Sequence, residues 1–142
     1  MSGNLHSIIT RRQFVFTNVS TSVSLEIPLV RAMDVTGAKA LELLVRVHSL
    51  TIGAGASVAV KAYAVSLTSE EPDTDFLSPS AASPTALATI TLNNSSSAPS
   101  LQLASVTTPF GHMVRIGVSG TQPAGAQTIS VVLSVDLLVY DN

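Results

Sequence analysis

The chain has 142 residues, enough for one domain with a substantial core, and no cysteine, which excludes a disulfide framework and a thiolate metal site. Only 11% of the residues are charged, against ~25% in ordinary soluble domains, and a net charge of −2 offers no basic field for nucleic acid. Mean hydropathy reaches +0.45, yet no apolar run approaches the ~18–20 residues of a spanning helix, so no membrane segment is expected.

Residues 1–12 contain Leu5, Ile8 and Ile9 without a strand alternation of their own. They read as an N-terminal arm, a segment that frays unless docked. The arm is expected to pack on a neighbouring copy or on an underlying shell, with Arg11 and Arg12 near acidic groups. Residues 13–142 read as a single domain.

Period-two alternation dominates that domain. Strands are expected at Gln13–Val19 and Val23–Val30, the second at an edge or bulged because Pro28 removes a ladder donor. Arg31–Leu44 has room for a helical turn. Leu41, Leu43, Val45 and Val47 then alternate with Glu42, Leu44, Arg46 and His48. After the turn "GAGAS" (Gly53–Ser57), read as a hairpin, Val58, Val60, Ala62 and Ala64 alternate with Ala59, Lys61, Tyr63 and Val65. A long loop, Thr68–Pro84, follows. Further strands are expected at Leu87–Asn93, Leu101–Val106, Met113–Val118 and Ile129–Tyr140, each bounded by turn-forming residues. The pattern predicts an all-β fold: a single β-sandwich or jelly roll of about eight antiparallel strands. Leu43, Val45, Val58, Val60, Val114, Ile116, Ile129, Leu133 and Val135 are expected in the core.

Little in the chain suggests a reaction. His6, His48 and His112 lack partners at metal-ligand spacing, and His48 reads as a surface strand residue. Serines are too plentiful for a Ser–His–Asp match to mean much, and no G-x-S-x-G elbow exists. The acidic run Glu70, Glu71, Asp73 and Asp75 lacks EF-hand spacing and reads as a solvated loop. The sequons at Asn18, Asn93 and Asn94 read as chance matches in a Ser/Thr-rich chain. No catalytic, cofactor-binding or metal residue is nominated, no cofactor is expected, and the chain is not expected to be an enzyme. Tyr63 and Tyr140, on outward strand faces, are the only residues that keep a lectin-like or other ligand-binding sandwich open as the alternative.

Between Phe76 and Val135 the only formally charged residue is Arg115. A structural role is expected for it: an ion pair with Asp136 on a neighbouring strand, or a contact across a subunit boundary. Interface cores lose Lys, Glu and Asp in this manner, and strand edges without charges are open to pairing with another chain. Thr89, Thr91, Gln102, Ser130 and Ser134 are expected to point outward in this region and to tolerate added charge poorly.

The segment "TPFGHMVRIGVSGTQPAGAQTISVVLSVDLLVYD" (Thr108–Asp141) resembles the closing strands of small tailed-phage and prophage virion proteins. In those, P-F-G-x-x-x-R leads into a strand, a Gly-rich turn and a long alternating final strand. Asp34–Ser66 is similar to their first long hairpin. The resemblance implies a capsid decoration or cement protein, or a tail or fibre component, with no active site. It implies self-association, a trimer being favoured, contact with a major capsid or other shell or tail protein, and a place on a virion assembled in a host cytoplasm. Neither nucleic acid nor membrane is an expected partner.

Overall fold

A computed structural model of the chain describes residues 3–16, 26–64, 86–122 and 129–141, without the side chains of residues 31 and 32. Among them are eight strands: β1 (Gly3–Phe16), β2 (Glu26–Asp34), β3 (Ala40–Thr51), β4 (Ser57–Ala64), β5 (Ala88–Asn93), β6 (Ser100–Ser105), β7 (Met113–Thr121) and β8 (Ile129–Tyr140). They form two four-stranded antiparallel sheets, β1-β8-β3-β6 and β2-β7-β4-β5. The fold is all-β, a β-sandwich.

Alternation creates the core. Every second side chain of a strand meets the same face, and each of the nine residues expected inside is fully buried. Burying one such Val, Leu or Ile stabilises the fold by about 1.5–3 kcal/mol. β8 contributes the largest share of one wall, through Ile129, Val131, Leu133, Val135, Leu137 and Val139.

The order of strands corrects one expectation. Only β4 and β5 are both consecutive and paired; every other described connection passes from one sheet to the other. Gly53–Ser57 is therefore a crossing between sheets and not a hairpin turn. The chain reverses there through Gly55 at φ 81°, a left-handed conformation that a side chain disfavours. The region 31–44 holds no helix: it contains the end of β2, a turn at Thr36 and Gly37, and the start of β3.

β2 lies at a sheet edge, and its pairing with β7 slips between Pro28 and Val30 and again between Val30 and Met33, so Pro28 sits both on an edge strand and beside a bulge. The expected strands Gln13–Val19 and Val23–Val30 run in part outside the described residues.

β1 continues unbroken through position 12, so residues 3–12 pair with β8 of their own chain. The ladder slips between Ser7 and Ile9 and again between Ile9 and Arg12, where Arg11 takes φ 47°. Arg11 gives its amide to Ser134 Oγ, and the Arg12 guanidinium lies over the Phe14 ring, 5.0 Å from its centroid. At the end of β1, Phe16 packs on Gly120 of β7. A Cβ at position 120 would stand 2.6 Å from Cγ of that ring.

Candidate assembly surface

The two sides of the sandwich differ in how their edges are finished. β1 and β2 pack against each other on one side, β5 and β6 on the other. The first side carries the devices that keep sheet edges from pairing: Arg11 and Arg12, Pro28, and register slips in both ladders. The second carries none of them. β5 (ATITLN) and β6 (SLQLAS) have no charge and no proline, and their ladders to β4 and β3 run without a slip.

β6 is also inverted. Alternation alone would bury the leucines of Ser-Leu-Gln-Leu-Ala-Ser, but the register with β3 sets Gln102 opposite Val45 and Ala104 opposite Leu43, both core residues. Opposite residues in an antiparallel pair share a face. Gln102 therefore faces inward, contrary to expectation, and Leu101 and Leu103 face outward, 51% and 54% exposed. Leu103 stands opposite the half-buried Leu44, so the apolar strip continues onto β3 there, whereas Leu101 stands opposite the exposed Arg46.

Among the described residues, no strand pairs with the outer side of the β6 backbone. The Val106 amide donates to the Leu41 carbonyl, and in antiparallel pairing alternate residues direct both polar groups the same way. The N–H and C=O groups of Ser100, Gln102 and Ala104 thus meet β3, and those of Leu101, Leu103 and Ser105 face away from it. On β5, Thr89 and Thr91 are exposed as expected.

Arg115 does not join this surface. It is 2% exposed on β7, opposite Tyr63 of β4, with its guanidinium carbon 5.0 Å from the Tyr63 ring centroid. The Tyr63 hydroxyl donates to Glu26 Oε1 of β2 at 3.0 Å. Burial raises the pKa of Glu26, opposed by the Tyr63 hydrogen bond and by the positive charges of Lys61 and Arg115. Burial and the adjacent Glu26 carboxylate push the Tyr63 hydroxyl well above its ordinary value. The expected ion pair with Asp136 does not form, because β7 and β8 lie in different sheets.

Solved structures share the fold of the chain, although no family model and no curated protein matches it. It is similar over 97% of its length to the structure of the infectious bursal disease virus Gx strain, at 14% identity and a TM-score of 0.51. It is similar over 99% to the VP2 subviral particle of that virus, at 11% and 0.52. A mutant VP2 protein in derived T=1 particles matches over 99%, at 10% and 0.54. The chain spans about a third of the length of these viral chains (31% and 32%). At such identities the shared property is the fold.

The remaining polar residues settle into structural contacts. Ser134, expected outward, is 6% exposed on β8 and its Oγ lies 2.7 Å from His48 Nε2. Because the Arg11 amide donates to that oxygen, the hydroxyl hydrogen is free to donate to an unprotonated Nε2. A catalytic serine–histidine pair needs a carboxylate to stabilise the imidazolium. Here desolvation lowers the His48 pKa, and Arg11 and Arg46 lower it further. The arrangement opposes proton uptake.

His6 lies on β1 and His112 just before β7, its Nδ1 3.5 Å from Thr36 Oγ1. The described residues contain no group of three His, Cys, Asp or Glu that could hold a metal ion, and no helix long and apolar enough to cross a membrane. Residues Glu70–Asp75 lie outside the described residues. Tyr63 is buried and Tyr140 donates to Glu42 Oε2 at 3.3 Å, so the two aromatics on which a sugar site depended are engaged within the fold.

Proposed function

We propose that this chain is a non-enzymatic structural subunit of a virus particle, a decoration or cement protein of a phage-like shell. It assembles with copies of itself, three being the favoured number, and bridges a major capsid or other shell protein on the virion. The observation that carries this reading is the inverted strand β6. A strand that turns two leucines to solvent and a glutamine toward the core is costly for a monomer and natural for a subunit whose edge another chain covers.

The strand order supports it, read as a jelly roll, an arrangement used by capsid and lectin domains alike. The fold shared with viral capsid chains supports it further. The engaged states of Tyr63 and Tyr140 favour assembly over sugar binding. The mechanism is mechanical: uncharged strand edges and apolar faces join neighbouring subunits and hold them against separation. Light scattering on the purified chain tests this reading. A mass that is a multiple of 14.7 kDa supports it, and a monomer at every concentration contradicts it.

A further inference from the structure

We infer that β6 pairs antiparallel with β6 of a second copy, across a two-fold axis at Gln102, fusing the two β1-β8-β3-β6 sheets into one. This rests on the self-association proposed above and specifies its contact.

The occupant follows from the edge itself. A row of free N–H and C=O groups is matched along its length by another strand. The neutrality of Ser100–Ser105 selects neither an acidic nor a basic partner. Among the described edges of this chain, β1 and β2 are protected by charge, proline and slipped register, so a head-to-tail contact of β6 with either meets these obstacles. The β5 edge is unprotected too, but it turns Thr89 and Thr91 outward and offers no apolar side chain to cover Leu101 and Leu103. A second β6 presents none of these obstacles and supplies the matching leucines. A contact of like with like is isologous and closes on itself, giving a finite pair and not a filament. Such an axis is compatible with a three-fold one in a particle of dihedral symmetry.

The register follows from the backbone. The groups facing outward belong to Leu101, Leu103 and Ser105, so odd-numbered residues must oppose odd-numbered ones. Centring the pair on Gln102 sets Leu101 of each copy opposite Leu103 of the other, on the outer face. Four leucines exposed in the separate subunits then cover one another beside the two Leu44 side chains. Pro99, which has no N–H, falls opposite Ser105 and ends the ladder on both sides. Gln102 meets its own counterpart in a non-hydrogen-bonded position, where Cα atoms approach to about 4.5 Å.

That distance suits a disulfide, and the chain has no cysteine of its own. Gln102→Cys should oxidise to a covalent dimer, while Val15→Cys, on the opposite edge of the same sheet, should not. Leu103→Lys should halve the native mass with strand content unchanged, and decides the matter alone if Gln102→Cys does not fold. If the parent chain is oligomeric, yet Gln102→Cys stays uncrosslinked and Leu103→Lys assembles normally, the β6 contact is wrong and self-association stands. A parent chain that is monomeric throughout overturns both.

Discussion

Arg115 and Tyr63 face each other across the β7–β4 ladder, the guanidinium carbon 5.0 Å from the ring centroid. The one formal charge between Phe76 and Val135 is thus held inside the fold, near the Glu26 carboxylate that the Tyr63 hydroxyl also reaches. The strands β5 and β6 therefore carry no charge of their own, the nearest charges opposite them being Arg46 and Glu42 on β3 and Lys61 on β4. That separation makes the β5 and β6 side of the sandwich different from an ordinary soluble surface.

Removing the Tyr63 hydroxyl takes one hydrogen bond from Glu26. Tyr63→Phe should lower stability by about 1–2 kcal/mol in urea unfolding. Glu26 should then titrate higher still, because that bond lowers its pKa. A carboxyl raised in the fold contributes stability below its ordinary value of 4.5 that is lost as pH rises through the folded value. In Tyr63→Phe that loss should extend to higher pH, as followed by NMR titration of Glu26. An unchanged titration would show that the bond has no weight.

His48 gives the opposite slope. Its pKa is lowered in the fold, so the unfolded chain binds more protons between the two values and stability rises with pH there. Stability should fall as pH drops through the ordinary imidazole value of 6.5, as the unfolded His48 takes up a proton that the fold resists. Denaturant midpoints measured across that window should lose this dependence in His48→Gln. If the variant keeps the slope, another group carries it.

Gly120 is required by the Phe16 ring. Gly120→Ala brings a methyl group to 2.6 Å from a ring carbon close to the β1 backbone, where little can yield. A loss of about 1–3 kcal/mol is expected from such overpacking. Phe16→Leu in the same chain should recover part of it, and a double-mutant cycle of unfolding free energies measures the coupling. Additive effects would mean that the two sites are independent.

Charge scanning separates the surfaces. Thr89→Lys and Thr91→Lys lie on the exposed edge of β5, where a monomer would register less than ~0.5 kcal/mol. At a desolvated contact the same charge costs several times more. Both should reduce the native mass without loss of strand content. Ser130 is half-buried on central strand β8, its Oγ accepting from Gln13, so, contrary to the expectation from sequence, Ser130→Lys should assemble as the parent does. Mass and circular dichroism together decide, and full assembly of both threonine variants would remove β5 from the contact.

Alternation was enough to find the strands that bury one face and the core they form, but not residues 3–12 of β1, whose burial does not alternate. Leu43, Val58, Ile116 and Leu133 were legible through that alternation. Sheet membership was not, since it depends on which distant strand each edge meets. Among the described residues, the groups recorded beside Arg115 come from β2 and β4, far away in sequence, and the nearer Asp136 belongs to the other sheet. Gln102 and Ser134 were misplaced for related reasons: the register with Val45 turns Gln102 inward, and the slipped Arg11 and His48 cover Ser134. The Leu-Gln-Leu inversion, the feature that points to assembly, appears only when hydrophobicity is set against register.

Hydrogen exchange reads the β6 edge residue by residue. In an isolated subunit the amides of Leu101, Leu103 and Ser105 face away from β3 and should exchange quickly, whereas those of Gln102 and Ala104 are held by it. At assembling concentration Leu101 and Leu103 should become protected to a similar degree as Gln102, and lose that protection on dilution. Rapid exchange at Leu101 and Leu103 in a sample shown to be oligomeric would contradict it.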